Sequence, residues 1–152
     1  MGTRADFYIG KGADAQWIGS IAWDGCRDGI PDQILLAKSD EEFCNNVLAF
    51  LDGRDDGTLP DDGWPWPWND SRLTDCHYWF FDGRCWEGRG ECARFGEVYV
   101  PADEPQPDWD SGDEEELYDT WMTGREAVVF PDMTALKNTT LGPRSGVILV
   151  GG

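Results

Sequence analysis

The chain has 152 residues, 40% of them apolar and 13% aromatic, with 30 acidic against 12 basic side chains and a formal net charge of −18. That length suffices for one domain with a real core, and the aromatic share excludes a disordered chain despite the charge. So negative a surface makes nucleic acid, anionic membranes and acidic substrates poor direct partners, and basic proteins good ones.

No run approaches the length of a membrane span, and the opening MGTRADFYIG lacks the apolar core of a signal peptide, so a cytoplasmic protein is expected. Residues 5–9 and 17–23 read as the first two strands, with Phe7/Ile9 and Trp17/Gly19/Ile21/Trp23 set against Ile18/Ala22 at a spacing of two. The second strand is apolar on both faces, which predicts a covered, central place. The intervening GKGAD has neither the GxxxxGK[ST] nor the GxGxxG spacing and reads as a turn. Asp24-Gly25 and Asp28-Gly29 mark the exit from this hairpin, and Pro31 suits the start of a short helix over residues 31–38. The principal helix follows at 40–51. Ser39 stands at its N-cap with Glu42 three residues on, a capping-box spacing, and Asp40, Glu41 and Glu42 suit the positive end of the helix dipole. Phe43, Val47, Phe50 and Leu51, widened by Cys44 and Leu48, make its buried stripe, and Asp52-Gly53 ends it.

Residues 54–62 (RDDGTLPDD) read as an acidic loop, on which Asp55, Asp56, Asp61 and Asp62 are candidate partner-binding carboxylates. Trp64-Pro65-Trp66-Pro67-Trp68 is not regular structure, because each proline lacks an N–H and restricts the residue before it. Its rings read as cover for an open edge or one end of the core rather than as an exposed stacking platform, since an indole is costly to leave in water. Residues 74–81 and 84–87 form a hairpin about Asp82-Gly83, and after a break at 88–90 a further strand runs over 93–100. Arg84, Arg89 and Arg94 form a basic cluster that local carboxylates should neutralise.

Residues 103–119 (DEPQPDWDSGDEEELYD) hold nine acidic residues and no basic one, as a solvated loop or an interaction strip. Asp108, Asp110, Asp113, Glu114, Glu115 and Glu116, with Trp109 as an apolar anchor, complete the candidate partner-binding set. A short helix is expected to begin within 117–122. Residues 126–130 read as a strand stopped by Pro131, 135–140 as weakly structured, and 146–150 (GVILV) as a final apolar strand that needs a partner.

Cys26, Cys44, Cys76, Cys85 and Cys92 are an odd number without a CxxC pair, so they should be reduced and mostly act as small core residues. A zinc site from Cys76, His77, Cys85 and Cys92 is disfavoured because neighbours along a strand point to opposite faces. The same geometry denies Cys76 and His77 a local catalytic dyad. With one histidine and no GxSxG, HExxH or EF-hand pattern, no catalytic residue, metal or cofactor is assigned.

The opening MGTRADFYIGKGADAQWIGSIAWDG, together with GWPWPWNDS, resembles a group of small bacterial and phage proteins that begin with a similar MGTRADFY segment and carry a similar tryptophan–proline stretch. The resemblance runs from Met1 to about Phe81 and carries over no activity or residue role. What it implies is an accessory protein of a mobile element, a setting in which small acidic inhibitors of host nucleic-acid defences recur.

These features predict a single α+β domain over residues 1–152: a mainly antiparallel sheet of roughly five to seven strands, one principal helix packed on a face, and an acidic loop at 103–119. The expected function is a non-enzymatic protein-binding inhibitor from a phage or mobile element. Its acidic surface would block the nucleic-acid-binding groove of a basic host defence protein or complex, of the anti-CRISPR or anti-restriction type, with no direct contact to nucleic acid or membrane. A structural or assembly protein of a phage or mobile element is the alternative reading. A Cys/His-dependent enzyme is the third.

Overall fold

The structure is a computed structural model that describes residues 3–88, 98–103, 112–113, 115–117, 125 and 127–139. Among these residues six strands form one sheet, in the order β3-β2-β1-β4-β5-β6. The strands are β1 (Ala5–Ile9), β2 (Gln16–Ile21), β3 (Gly57–Thr58), β4 (Cys76–Phe81), β5 (Arg84–Gly88) and β6 (Val100–Pro101). Every neighbouring pair is antiparallel except β1 and β4, which run parallel with Ala5 beside Cys76 and Phe7 beside Tyr78. A parallel pair cannot be closed by a hairpin. Here the chain leaves β1 through β2, crosses one face as α1 (Asp32–Leu35) and α2 (Asp40–Asp52), adds β3 at the edge, and returns to β4. The fold is α+β, with one longer helix on a mostly antiparallel sheet.

Local chemistry accounts for the elements. The Ser39 hydroxyl accepts the Glu42 N–H at 3.1 Å, as an N-cap should. The Glu42 carboxylate does not return to Ser39 and instead accepts the Lys38 N–H at 3.1 Å, so the reciprocal half of the box is displaced by one residue. Phe43, Val47 and Leu51 are fully buried, and the Phe43 ring lies 5.5 Å from that of Phe80 on β4. The turn between β4 and β5 has positive φ at both Asp82 (54°) and Gly83 (80°), the conformation whose twist matches a hairpin.

The sheet buries two unlike faces. Ala5, Phe7, Ile18, Ile21, Cys76, Tyr78, Phe80 and Cys85 meet α1 and α2, while Tyr8, Trp17 and Trp79 face the other way. Simple alternation puts Trp17 and Ile21 on one face, and the structure separates them. A bulge opposite Phe7 and Tyr8 pairs Phe7 with Gly19 and Tyr8 with Trp17, leaving Ile18 as the extra residue and resetting the parity of β2. Ile18 thereby joins Ile21 under the helices. Gly19 faces α2 so closely that a Cβ there would sit 2.3 Å from Leu51 Cδ1.

Among the described residues the second face has no long helix. It is covered by the tryptophan–proline arm, through Trp64, Trp66 and Trp68, and by the strap formed by residues 127–139, through Val128, Phe130, Met133 and Leu136. Three expectations change here. The stretch 54–62 is not a plain loop, because it contains β3 and a 3₁₀ turn at Pro60–Asp62. Ala127 makes an isolated bridge to Val98 in place of a strand over 126–130. Thr134–Thr139 is a helix, α3, where weak structure was expected; the Asp132 carboxylate accepts the Thr134 N–H at 2.9 Å and starts it. The expected strand over 93–100 is represented by β6 and Val98, and its earlier part, like 146–150, lies outside the described residues.

Phe43→Ala should lower the unfolding free energy by about 3–5 kcal/mol, since a buried aromatic ring is removed from a well-filled layer. Urea denaturation measures this, and a loss below about 1 kcal/mol would contradict the packing described.

Candidate functional site

The twelve basic residues set the electrostatics as much as the thirty acidic ones do. Arg27 points inward and donates through Nε (2.9 Å) and Nη2 (2.5 Å) to Glu87, whose side chain is 1% exposed. Arg54 likewise closes on Asp56, at 2.6 Å from Nε and 2.9 Å from Nη2. Arg72 pairs with Asp70 at 3.5 Å, and Arg84 with Asp103. Rings take up further cationic charge: Arg4 lies over Trp66 and Trp68, and Lys11 over Phe81. The carboxylates left at the surface of the helical layer and its turns include Asp28, Asp32, Asp40, Glu41, Asp52 and Asp55, with Lys38 as an exposed base among them.

The predicted partner-binding residues divide accordingly. Asp55 and Asp61 are exposed, as are Asp113, Glu115 and Glu116. Asp113 caps the helical turn at 115–117, its carboxylate accepting the Glu115 N–H at 3.0 Å. Asp62 is half-buried and accepts the Leu59 N–H at 3.2 Å. Asp108, Trp109, Asp110 and Glu114 lie outside the described residues.

Asp56 is withdrawn from the candidate set. Its side chain is 1% exposed, and beyond Arg54 it accepts the Ala22 and Trp23 N–H groups, both at 3.0 Å. Burial opposes its ionisation, but the Arg54 guanidinium and these amides outweigh that cost and hold its carboxyl below the ordinary value. It ties the end of β2 to β3, so its charge is spent within the fold.

Sequence reasoning missed a polar cluster on the second face. Asp6, on β1, is fully buried beneath the tryptophan arm. Its Oδ1 accepts from Ser20 Oγ at 2.6 Å and Trp66 Nε1 at 2.8 Å, and its Oδ2 from Ser71 Oγ at 2.7 Å. Each serine spends its one proton on Asp6, so Ser20 receives the Trp17 N–H at 2.9 Å and Ser71 receives the Tyr8 hydroxyl. The arm is satisfied throughout: Trp68 Nε1 donates to Thr74 Oγ1 at 3.0 Å and Trp64 Nε1 to the Trp68 carbonyl at 2.5 Å. Burial raises the Asp6 pKa, and the hydroxyl and indole donors only partly offset it. A lone Asp between Ala5 and Phe7 in an otherwise apolar strand was the available signal.

Cys76 and His77 fall on opposite faces, as strand geometry requires, with Cys76 under the helices and the His77 ring against Trp79 and Phe130. His77 is fully buried, and burial also pushes the Cys85 thiol pKa up, which keeps that sulfur protonated. Among the described residues no three His, Cys, Asp or Glu side chains gather in a metal-binding group. Nor is any helix there long and apolar enough to cross a membrane. No protein-family profile, curated protein or solved structure matches this chain.

Replacing Asp6 by Ala strands the Ser20, Ser71 and Trp66 donors, and should cost about 3 kcal/mol or more at roughly 1–3 kcal/mol per orphaned group. Asp6→Asn, which keeps a carbonyl acceptor, should cost less. Because the native carboxyl pKa is raised, ionisation of Asp6 itself works against the fold at neutral pH. Its contribution becomes more favourable as pH falls through the native pKa toward the ordinary 3.8. Denaturation of both variants, read by tryptophan emission, checks this; equal stability of wild type and Asp6→Ala would refute it.

Proposed function

We propose that this protein is a non-enzymatic, protein-binding inhibitor from a mobile element. Its acidic surface occupies the basic nucleic-acid-binding groove of a host defence complex, of the anti-CRISPR or anti-restriction type, in the host cytoplasm. The observation that carries this reading is the unequal use of charge. Arg27 and Arg54, which border the helical layer, turn inward onto Glu87 and Asp56, while that layer keeps its carboxylates in water with Lys38 as an exposed base among them. Solubility alone does not call for neutralising the cations of one layer internally. A basic groove does reward it, because unpaired surface carboxylates attract and orient a cationic partner over a Debye length of about 8–10 Å.

α2 is 13 residues long, about 20 Å along its axis, with Asp40, Glu41 and Glu42 at one end and Asp52 at the other. That span matches several phosphates of a duplex, which carries one charge per roughly 1.7 Å of axis. Asp55 and Asp61 follow the helix in the chain and are also exposed. The strip at Asp113, Glu114, Glu115 and Glu116 supplies a second set of carboxylates for the same groove.

The test is capture on the immobilised protein from nuclease-treated host lysate, with salt elution, followed by competition on the purified partner. The expected partner is a basic nucleic-acid-binding protein that is displaced by duplex DNA or RNA. Neutralising Asp113, Glu114, Glu115 and Glu116 together to Asn or Gln should weaken its binding about fourfold or more, at roughly 0.2–1 kcal/mol per charge, and flatten its salt dependence. Binding that is unaltered by neutralisation and indifferent to DNA would reject this function. Salt-resistant association with structural proteins or with itself would favour the assembly reading.

A further inference from the structure

His77 sits where the second face of the sheet meets the strap. Its ring lies 4.8 Å from that of Phe130, edge-on, and 5.5 Å from that of Trp79, while Phe130 in turn lies 5.7 Å from Trp79. Neither ring nitrogen of His77 has a hydrogen-bond partner among the described residues. The strap is held chiefly by apolar contact. Met133 and the partly buried Val128, Phe130 and Leu136 pack in the same cluster, and its backbone is tied by the Ala127–Val98 bridge and by the Met133 N–H donating to the Asn69 carbonyl at 2.6 Å.

We propose that residues 127–139 are an acid-released strap, with protonation of His77 driving Phe130 off the sheet. An imidazolium at this position would be a buried cation pressed against two rings, with no acceptor for either N–H among the described residues. Lifting Phe130 gives it water. The described groups around His77 do not supply that acceptor. On β1 its register partner is Asp6, whose two oxygens already receive Ser20, Trp66 and Ser71, with Thr74 as a fourth side-chain donor. On β5 the partner is Gly88, which has no side chain. From the strap it meets Phe130, and Asp132 of the strap is exposed.

Burial lowers the His77 pKa from 6.5 to about 3. A base whose pKa is depressed when closed is neutral there, so the closed state is fully favoured above pH 6.5 and loses ground tenfold per unit as pH falls toward 3. Between pH 7 and 5 the open fraction should grow about twenty-five-fold, before most carboxylates titrate. Asp6, with its pKa raised, acts in the opposite sense, and it is present equally in any His77 variant.

The experiment is native-state hydrogen exchange on the full chain, corrected for intrinsic rates. The Met133 amide reports the strap and the Val47 amide reports the helical core. The Met133 protection factor should lie below that of Val47 and fall about twenty-five-fold from pH 7 to 5, and in His77→Phe it should change by less than about twofold. Equal protection of the two amides, or the same pH dependence in wild type and His77→Phe, would overturn the proposal. His77→Leu serves if His77→Phe does not fold. Independently, the chain has a single histidine, so its ring carbon resonance is unambiguous. In the native chain it should not titrate near pH 6.5, and if it does, the strap is not proton-linked.

Discussion

A single buried carboxylate holds the second face together. Asp6 lies in the middle of the sheet, where an ionised group is expensive, and three side-chain donors from β2, the tryptophan arm and the segment before β4 converge on it. Each donor fixes something else. Ser20 orients Trp17, Ser71 orients Tyr8, and Trp66 anchors an arm whose prolines cannot form regular backbone bonds. Without a central acceptor these groups would be buried donors with nowhere to go, and the arm would have apolar contact but no defined position. The network therefore supplies specificity where, among the described residues, no long helix supplies registry.

The two faces solve the problem of burial differently. Under α1 and α2 the layer is aliphatic and aromatic in the usual way, with Phe43, Val47 and Leu51 filling the space above Phe7, Tyr78 and Phe80. On the other side the covering chain has little secondary structure, so large rings substitute for helical packing: Tyr8 stacks on Trp79 at 5.7 Å, and Trp17 meets Trp64 edge-on at 5.1 Å. Nine tryptophans in one small chain are largely explained by this second layer. The cations, drawn onto rings and buried carboxylates, leave the solvent-facing helical layer distinctly negative.

Much of the first half was legible because its signals are local. The Ser39 cap, the Phe43/Val47/Leu51 stripe and the Asp82-Gly83 turn depend on neighbours within a few residues. What escaped depends on distant partners. The bulge that moves Ile18 under the helices is set by pairing with β1, and the two-residue β3 is a strand only because Ser20 and Ile21 lie beside it. Asp56 reads as one more acid in an acidic stretch until Arg54 and the end of β2 close around it. The parallel β1–β4 pair leaves no mark in either strand's composition. For the acidic surface, residues and charge were plain from the sequence, but which carboxylates remain in water is decided by where the arginines turn.

The parallel pairing at the centre of the sheet has a consequence for how the chain is made. The Arg4 N–H is bonded to Asp75, 71 residues later, so the innermost seam of the sheet closes only after the chain has been made as far as β4. At roughly 5–20 residues per second, the β1–β2 ribbon emerges from the ribosome several seconds ahead of β4. During that delay one long edge of β1 is open, with Phe7 beside it, which is the situation that invites a strand from another nascent chain. Asp6 stands in the middle of that edge. Before Ser71 and Trp66 reach it, its charge acts as a gatekeeper against intermolecular pairing, and the residue that organises the finished second face also protects the unfinished one.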